Sequence, residues 1–329
     1  MGLFRNHNER RLRAFWRLLI QLTLFVAGSE LLGLMALGVF IPWSATFFAA
    51  YALLTLLVAL GSVWFAGRFL DRRTFFGGFG LLMYNRGWWL DLAFGLFLGA
   101  LLMTGIFLVE LEAGWIKIDG TFESVGTNTS FFLAIVAPIV LFFCTGISEE
   151  LVFRGYQLKN IAEGLNFSRV GPKRAILLAW ILSSSVFGLL HLTNPNATAI
   201  SAINIAVTGL LLGAGYLLTG RLAISIGLHM SWNFFEGNVF GFPVSGLEPV
   251  GAEFISIEQD GPLFWTGGAF GPEAGLVDIA VAIIGTLLIL LWVRARSGRV
   301  ALQTSLAEPP TSQVEGQEAP LAPGEQHVR

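Results

Sequence analysis

Long apolar runs separated by short polar segments make up most of this chain, and this pattern predicts its secondary structure. An α-helix needs about 20 consecutive apolar residues to cross the hydrocarbon core of a bilayer. Runs of roughly that length can be placed at residues 18–40, 44–66, 88–109, 131–150, 175–191, 199–219, 222–240 and 276–293. The pattern therefore predicts an all-α fold, a polytopic transmembrane helical bundle of about eight spans.

Two stretches differ from these runs. The segment 67–87 mixes arginines with aromatic residues, which is typical of the membrane interface rather than of a span. From residue 297 the chain is polar and rich in Pro, Gln and Glu, so it lacks the apolar surface that a folded core requires. We therefore predict an integral membrane domain over residues 1–296 and a disordered cytoplasmic tail over residues 297–329.

The composition is typical of a membrane protein and excludes some kinds of functional site. Hydrophobic residues make up 54% of the chain and charged residues 13%, whereas soluble domains carry about 25% charged residues. Cys144 is the only cysteine, which excludes an intrachain disulfide and any site built from several cysteines. The sequence has no basic stripe, so we expect no nucleic-acid partner.

The basic residues fall almost entirely on one side of the predicted bundle. If the N-terminus is inside, every Lys and Arg except Lys117 belongs to an inner segment or to the inner part of a helix. The outer segments carry acidic residues instead: Glu112, Asp119, Glu123, Glu236, Glu248, Glu253, Glu258, Asp260 and Glu273. By the positive-inside rule, we expect a multi-pass protein of the cell membrane with both termini in the cytoplasm.

Two adjacent carboxylates and an arginine, Glu149, Glu150 and Arg154, lie at the end of the fourth apolar run. A charge at the centre of a membrane helix costs about 2.5–3.5 kcal/mol on insertion scales, so charges retained there point to function. Four residues separate Glu150 from Arg154, which lets them pair on one helix face. Glu149 points about 100° away and stays available for chemistry. Glu30 lies in the middle of the first run, and we expect it to face the bundle interior.

Two of the four histidines lie within predicted spans, and each has a possible partner one helical turn away. Phe187 precedes His191 by four residues and Asn233 follows His229 by four, so each pair shares a helix face. A carboxylate can take a proton from water, a histidine can orient that water, and His with Asn can donate to an oxyanion. The same groups could bind a divalent metal that activates water. The sequence contains neither Gly-x-Ser-x-Gly nor His-Glu-x-x-His, which disfavours those protease types.

Three motifs in chain order resemble those of the CPBP family of intramembrane proteases: Glu149-Glu150-x-x-x-Arg154, Phe187-x-x-x-His191 and His229-x-x-x-Asn233. That family includes the CAAX prenyl endopeptidases and bacterial proteins linked to bacteriocin self-immunity. The resemblance covers residues 131–241, about one third of the chain. It implies a CPBP-like catalytic core within the membrane domain, and hence a membrane endopeptidase.

The resemblance also implies a role for each motif residue. Glu149 is expected to act as the general base on the attacking water, with His191 helping to hold that water. His229 and Asn233 are expected to stabilise the oxyanion. Glu150 and Arg154 are expected to form a supporting pair, and Phe187 is a further supporting residue. The expected substrate is a membrane-anchored protein or peptide, and the sequence leaves open whether it is prenylated.

The family is often labelled as metalloproteases, and Glu149, His191 and His229 could supply a carboxylate and two imidazoles to zinc. Asn233, however, is a poor zinc ligand and a good oxyanion donor. The two histidines also lie on different helices, unlike those of a His-Glu-x-x-His site. These points favour a water held directly by Glu149 and His191, with no metal. Two other functions stay open: a non-catalytic scaffold or immunity protein of the same family, and a proton-coupled transporter.

Overall fold

The computed structural model describes residues 4–6, 11–125 and 129–310, and these form a bundle of apolar helices. Among them, the helical segments long and apolar enough to cross a membrane are Ala14–Leu37, Ala45–Asp71, Arg86–Glu112, Phe131–Leu165, Gly171–Thr193, Ala199–Thr219 and Leu276–Ser297. Each of these seven segments overlaps one of the predicted apolar runs. The polytopic helical bundle predicted from the sequence is therefore confirmed.

The α-helices of the described residues are α1 (Ala14–Leu37), α2 (Ala45–Phe65), α3 (Phe75–Gly78), α4 (Arg86–Glu112), α5 (Phe131–Ala134), α6 (Val136–Glu149), α7 (Lys159–Leu165), α8 (Gly171–Leu190), α9 (Ala199–Thr219), α10 (Ala223–Phe234), α11 (Leu263–Thr266) and α12 (Leu276–Ser297). Three of them continue as π-helix, over Ala66–Asp71, Glu150–Leu158 and Phe235–Val239. The strands are β1 (Arg5–Asn6), β2 (Arg11–Leu12), β3 (Ile116–Val125) and β4 (Gly251–Gln259). Short 3₁₀ turns lie at His191–Thr193, Gly268–Phe270, Pro272–Ala274 and Thr304–Ala307.

An eighth crossing follows from the pairing of β3 with β4. The two strands are antiparallel, with Lys117 opposite Glu258, so they lie on the same side of the bundle. The chain between them passes through the segments 131–165, α8, α9 and α10, and only an even number of crossings returns it to that side. The 12 residues of α10 and the 5 of the following π-helix span about 25 Å. We therefore count α10 with its π-helix as a short eighth span, in agreement with the predicted number.

The β3–β4 sheet is an addition that the apolar pattern did not predict. Most side chains of β3 are exposed, so the strand lacks the alternation of buried and exposed residues that marks a strand in a sequence. Its partner β4 lies more than 120 residues further along the chain, and a tight turn between them is therefore impossible. The sheet closes one end of the bundle, which we call the sheet face; the opposite end, formed by segments 66–85, 159–170, 220–222 and 298–310, is the basic face.

Glycines bring α10 into the centre of the bundle against α4. A Cβ atom added to Gly227 would lie 2.4 Å from the carbonyl oxygen of Leu92, and one added to Gly95 would lie 2.4 Å from that of Ile224. Within a membrane, small residues stabilise helix pairs by letting the backbones approach closely. The two glycines thus fix the helix that carries His229 in the middle of the protein.

Buried ion pairs hold the basic face together. Glu163 at the end of α7 accepts hydrogen bonds from Arg17 at 2.6 Å and from Arg73 at 2.7 Å. Arg11 also binds Glu163, and Arg17 reaches Asp71 in the π-helical end of the second span. These contacts join the first span, the second span and the extension of the fourth. The continuation of the fourth helix past Glu150 is anchored in this way.

The first part of the predicted tail is packed rather than free. Asn166 donates a hydrogen bond of 2.9 Å to the carbonyl oxygen of Ala307, and the backbone N–H of Gln303 donates to that of Leu217. Leu306 and Ala307 are buried against the bundle. A few apolar residues thus attach residues 302–308 to the basic face, although the average composition of the tail is polar. The remainder of the predicted tail, residues 311–329, lies outside the described residues.

The orientation of the bundle in the membrane gives a direct prediction. A reporter enzyme that is active only outside the cytoplasm should be active when fused after Glu258, on the sheet face. The same reporter should be inactive when fused after Gly80 or Gly171, because both positions lie on the basic face, which the positive-inside rule places in the cytoplasm. The reverse pattern of activities would overturn the orientation and leave the helical bundle unaffected.

Candidate active site

A change of helix type separates the roles of the two adjacent carboxylates. Helix α6 ends at Glu149, and the π-helix Glu150–Leu158 begins at the next residue. π-Helical turns are rare and occur frequently at functional sites. The side chain of Glu149 is 25% exposed, whereas that of Glu150 is fully buried. The predicted division into one enclosed and one available carboxylate therefore matches the geometry.

Glu150 joins two basic side chains inside the bundle. Its Oε1 accepts a hydrogen bond of 2.7 Å from Nη1 of Arg154 and one of 2.9 Å from Nδ1 of His229. Arg154 also donates to the carbonyl oxygen of Gly209 at 3.2 Å, and its guanidinium lies 4.3 Å above the ring of Phe187. A buried charge is tolerated when it is paired and hydrogen-bonded in this way. The predicted Glu150–Arg154 pair is present, while the bond to His229 was not predicted.

His229 lies between the two carboxylates. With Nδ1 bonded to Glu150, its Nε2 points towards Glu149, whose Oε2 is 3.8 Å away. Because a carboxylate only accepts hydrogen bonds, Nδ1 carries a hydrogen in this arrangement. The nitrogen that is left for a ligand is Nε2, next to the available carboxylate.

His191 is also held by one ring nitrogen. It caps the end of α8, and its Nδ1 lies 2.8 Å from the carbonyl oxygen of Phe187. Since a carbonyl accepts, Nδ1 donates, and in the neutral ring Nε2 keeps a free lone pair. The ring of Phe187 touches both imidazoles, at centroid distances of 4.7 Å to His191 and 6.2 Å to His229. Phe187 therefore supports the two histidines as well as Arg154.

The four predicted catalytic residues meet in one cavity of about 500 Å³. Glu149, His191, His229 and Asn233 all line it, although they come from three different spans. Asn233 is buried and follows His229 by one helical turn on α10. The structure thus brings together the groups that the motif spacing singled out.

The cavity also contains residues that the sequence did not single out. Glu273, which we had placed in an outer loop, lines it and accepts hydrogen bonds from the N–H and the hydroxyl of Ser245, at 3.0 and 2.5 Å. Burial raises the pKa of the Glu273 carboxyl, although the Ser245 bonds and the nearby histidines His191 and His229 oppose that rise. Nothing in the sequence indicates that a glutamate in a loop far from the motifs lies beside the catalytic residues. Glu30 lines the cavity too, but its side chain is exposed at the rim and does not have the interior position expected for it.

Among the described residues, no three His, Cys, Asp or Glu side chains are arranged to hold a metal ion together. Glu149 and the two histidines, proposed from the sequence as zinc ligands, share the cavity without forming such a group. We therefore derive no step through a metal.

The fold and the site define a class of protein: a polytopic helical membrane protein with a carboxylate–imidazole site enclosed among its spans. Residues 131–235 match the family model of the type II CAAX prenyl endopeptidases described as Rce1-like. This match confirms the resemblance seen in the motifs. The matched segment contains all the predicted catalytic and supporting residues, but not Glu30 or Glu273. No curated protein and no solved structure matches the chain significantly.

Proposed function

We propose that this protein is an intramembrane endopeptidase, which hydrolyses a peptide bond of a membrane-associated protein with a water molecule activated by Glu149 and His191. The family match supports a membrane protease in general terms. The observation that carries the specific proposal is the convergence of Glu149, His191, His229 and Asn233 on one cavity. The match does not favour either alternative, the non-catalytic scaffold of the same family or the transporter.

In the first step, water attacks the carbonyl carbon of the scissile peptide bond. Glu149 accepts a proton from this water as general base, since its carboxylate is partly exposed in the cavity. Nε2 of His191 accepts the water's second hydrogen as a hydrogen bond and so orients the attacking lone pair. Its own Nδ1 is fixed by the carbonyl oxygen of Phe187, which keeps the ring in the required tautomer.

In the second step, the tetrahedral intermediate carries a negative oxygen that needs hydrogen-bond donors. The amide of Asn233 donates to it, and Nε2 of His229 donates when that ring is doubly protonated. The Glu150 carboxylate at Nδ1 stabilises the imidazolium electrostatically, and Arg154 holds Glu150 in place. Glu149 then returns its proton to the leaving nitrogen as the C–N bond breaks. The products are a carboxylic acid and an amine, and transfer of the acid's proton to the amine leaves a carboxylate and an ammonium group.

Direct assay of cleavage tests the proposal. Purified wild-type protein and the Glu149→Ala variant should be incubated with a panel of membrane-anchored peptides, and the products identified by mass spectrometry. We expect the wild type to cut at least one peptide at a defined bond and the variant to cut none. Equal cleavage by the two proteins would show that Glu149 is not the base and would overturn the assignment.

The proposed reaction does not depend on a metal, and this can be measured. We expect protein treated with a strong chelator to contain less than one equivalent of zinc and to retain its cleavage rate. Elemental analysis of the active, treated sample provides the measurement. If removal of stoichiometric zinc abolished cleavage and its return restored it, Glu149, His191 and His229 would have to be reconsidered as ligands.

A further inference from the structure

The cavity is lined by loops from only one face of the bundle. Thr193 and Asn194 follow α8, residues 244–250 lead into β4, and Glu273 precedes α12; all of them lie on the sheet face. Among the described residues, none of those on the basic face (66–85, 159–170, 220–222 and 298–310) lines the cavity. The cavity therefore extends from the catalytic residues towards the sheet face.

The helices give the same direction. Helix α1 runs towards the sheet face and contributes Ser29 and Glu30, which lie in its second half. Helix α2 runs away from that face and contributes Phe48 and Tyr51, which lie in its first half. Both helices thus line the cavity from their middle towards the end at the sheet face. A substrate approaching from the sheet face meets Glu149 without passing through the arginine-rich end of the bundle.

The walls of this cavity are apolar and negatively charged. Its carboxylates are Glu30, Glu149, Glu248 and Glu273, and its described lining includes no Lys or Arg. Glu30 and Glu248 are exposed at the rim, whereas Glu273 is buried. The aromatic residues Phe25, Phe48 and Phe142 line the same space. The lining suits apolar side chains together with a positive charge.

Further acidic side chains, Glu123 and Glu253, lie on the neighbouring sheet. Burial raises the pKa of the Glu253 carboxyl on β4 to about 6. The charges of Glu123 and Glu248 add to this rise, and a hydrogen bond with Ser256 opposes it. A free C-terminal carboxylate brought beside these groups would be repelled, since like charges in a poorly solvated cleft are destabilising. A Lys or Arg side chain at the same place would be attracted.

Building on the proposed endopeptidase function, we propose that the site is loaded from the sheet face and accepts internal, apolar polypeptide segments that carry Lys or Arg. With the orientation expected from the positive-inside rule, this face is extracytoplasmic. The substrate class is therefore a membrane-associated polypeptide exposed outside the cytoplasm, rather than the free C-terminus of a cytoplasmic protein.

Proteoliposomes of known sidedness test the route of entry. In a Cys144→Ser background, Asp260→Cys places a thiol on an exposed position of the sheet face. Vesicles holding no more than one protein each are treated with a membrane-impermeant biotin maleimide and separated on streptavidin. A water-soluble, Lys-containing peptide that the detergent-solubilised enzyme cuts is then added outside. We expect captured vesicles to cleave it and uncaptured vesicles to cleave it only after detergent is added.

The outcomes separate this inference from the proposed function. Cleavage by intact uncaptured vesicles alone would overturn entry from the sheet face, while the endopeptidase assignment would stand. Absence of cleavage of any panel peptide in detergent would instead refute the endopeptidase function, on which this inference rests.

Charge preference is tested with matched peptides and matched variants. Peptides that differ only by Lys, norleucine or Glu near the cut bond should be cleaved in that order of kcat/KM. Glu248→Gln should raise KM for the Lys peptide about two- to fivefold, as expected for loss of one partly solvated ion pair, and should raise it more for the Lys peptide than for the norleucine peptide. Glu258→Gln, an exposed change outside the cavity on the same face, is the control. Equal kcat/KM for the three peptides would overturn the charge preference.

Discussion

Replacing Glu149 with glutamine is expected to lower kcat by about 10²–10⁴-fold, the usual contribution of a general base. The substitution keeps the size and hydrogen-bonding reach of the side chain but removes its ability to accept a proton from water. Because Glu149 is partly exposed in the cavity and its contact with Nε2 of His229 is long, at 3.8 Å, we expect the unfolding temperature in detergent to change little. Single-turnover cleavage and thermal unfolding, measured on the same preparation, separate the two effects.

The matched control for this prediction is Glu112→Gln. Glu112 is an exposed glutamate at the end of α4, outside the cavity, so its variant should have wild-type kcat and stability. A Glu149→Gln variant that unfolds several degrees below the wild type and cleaves at the wild-type rate when folded would contradict the prediction. In that case the carboxylate would have a structural role.

Replacing Arg154 with alanine is expected to lower the free energy of unfolding by about 3–5 kcal/mol, the range for removing one partner of a buried ion pair. The substitution leaves the Glu150 carboxylate buried with only His229 beside it, and it removes the guanidinium that packs on Phe187. Chemical unfolding in mixed micelles measures the change. Cleavage should fall as well, because Glu150 would no longer be held against His229.

Two further variants identify the cause of the expected loss of stability. Arg174→Ala removes an exposed arginine on the basic side of α8 and should change the free energy of unfolding by less than about 0.5 kcal/mol. The double variant Glu150→Gln with Arg154→Met removes both charges, and it should be more stable than Arg154→Ala alone, since no unpaired carboxylate remains. If Arg154→Ala were as stable as Arg174→Ala, the buried pair would contribute nothing measurable.

Local patterns were sufficient to predict most of the bundle. The spans follow from apolar runs of about 20 residues, because nothing else satisfies the backbone in hydrocarbon. The Glu150–Arg154 pair follows from a spacing of four, which survives the change from α- to π-helix. The shared faces of Phe187 with His191 and of His229 with Asn233 follow from the same spacing. Each of these features is encoded within a single helix.

Contacts between helices were harder to predict. Counting residues places His191 about 25 Å and His229 about 12 Å from the inner ends of their helices. In the structure the two histidines come to a similar depth because α8 and α10 are offset along α9. Gly213 of α9 lies against Trp180, the tenth residue of α8. Gly215 of α9 lies against Ile224, the second residue of α10. A difference of eight residues corresponds to about 12 Å. The sequence contains these glycines but does not say which residue each one faces.

Other features had no local signal at all. The hydrogen bond from His229 to Glu150 joins residues 79 positions apart. The pairing of β3 with β4 joins two polar segments on either side of four spans. Glu273 reaches the cavity through a loop whose course depends on Ser245. All three depend on tertiary packing, which pattern and spacing along one chain do not determine.

The π-helices next to the site limit how the length of this chain can vary. One follows Glu149 directly and another, Phe235–Val239, begins two residues after Asn233. Deleting one residue from the second would leave Asn233 in place but turn everything beyond it by about 100°. That rotation would carry Val244, Ser245 and residues 247–250 away from the cavity that they line. Homologous chains with the same site should therefore vary in length within the loops and keep a constant number of residues between Asn233 and Val244.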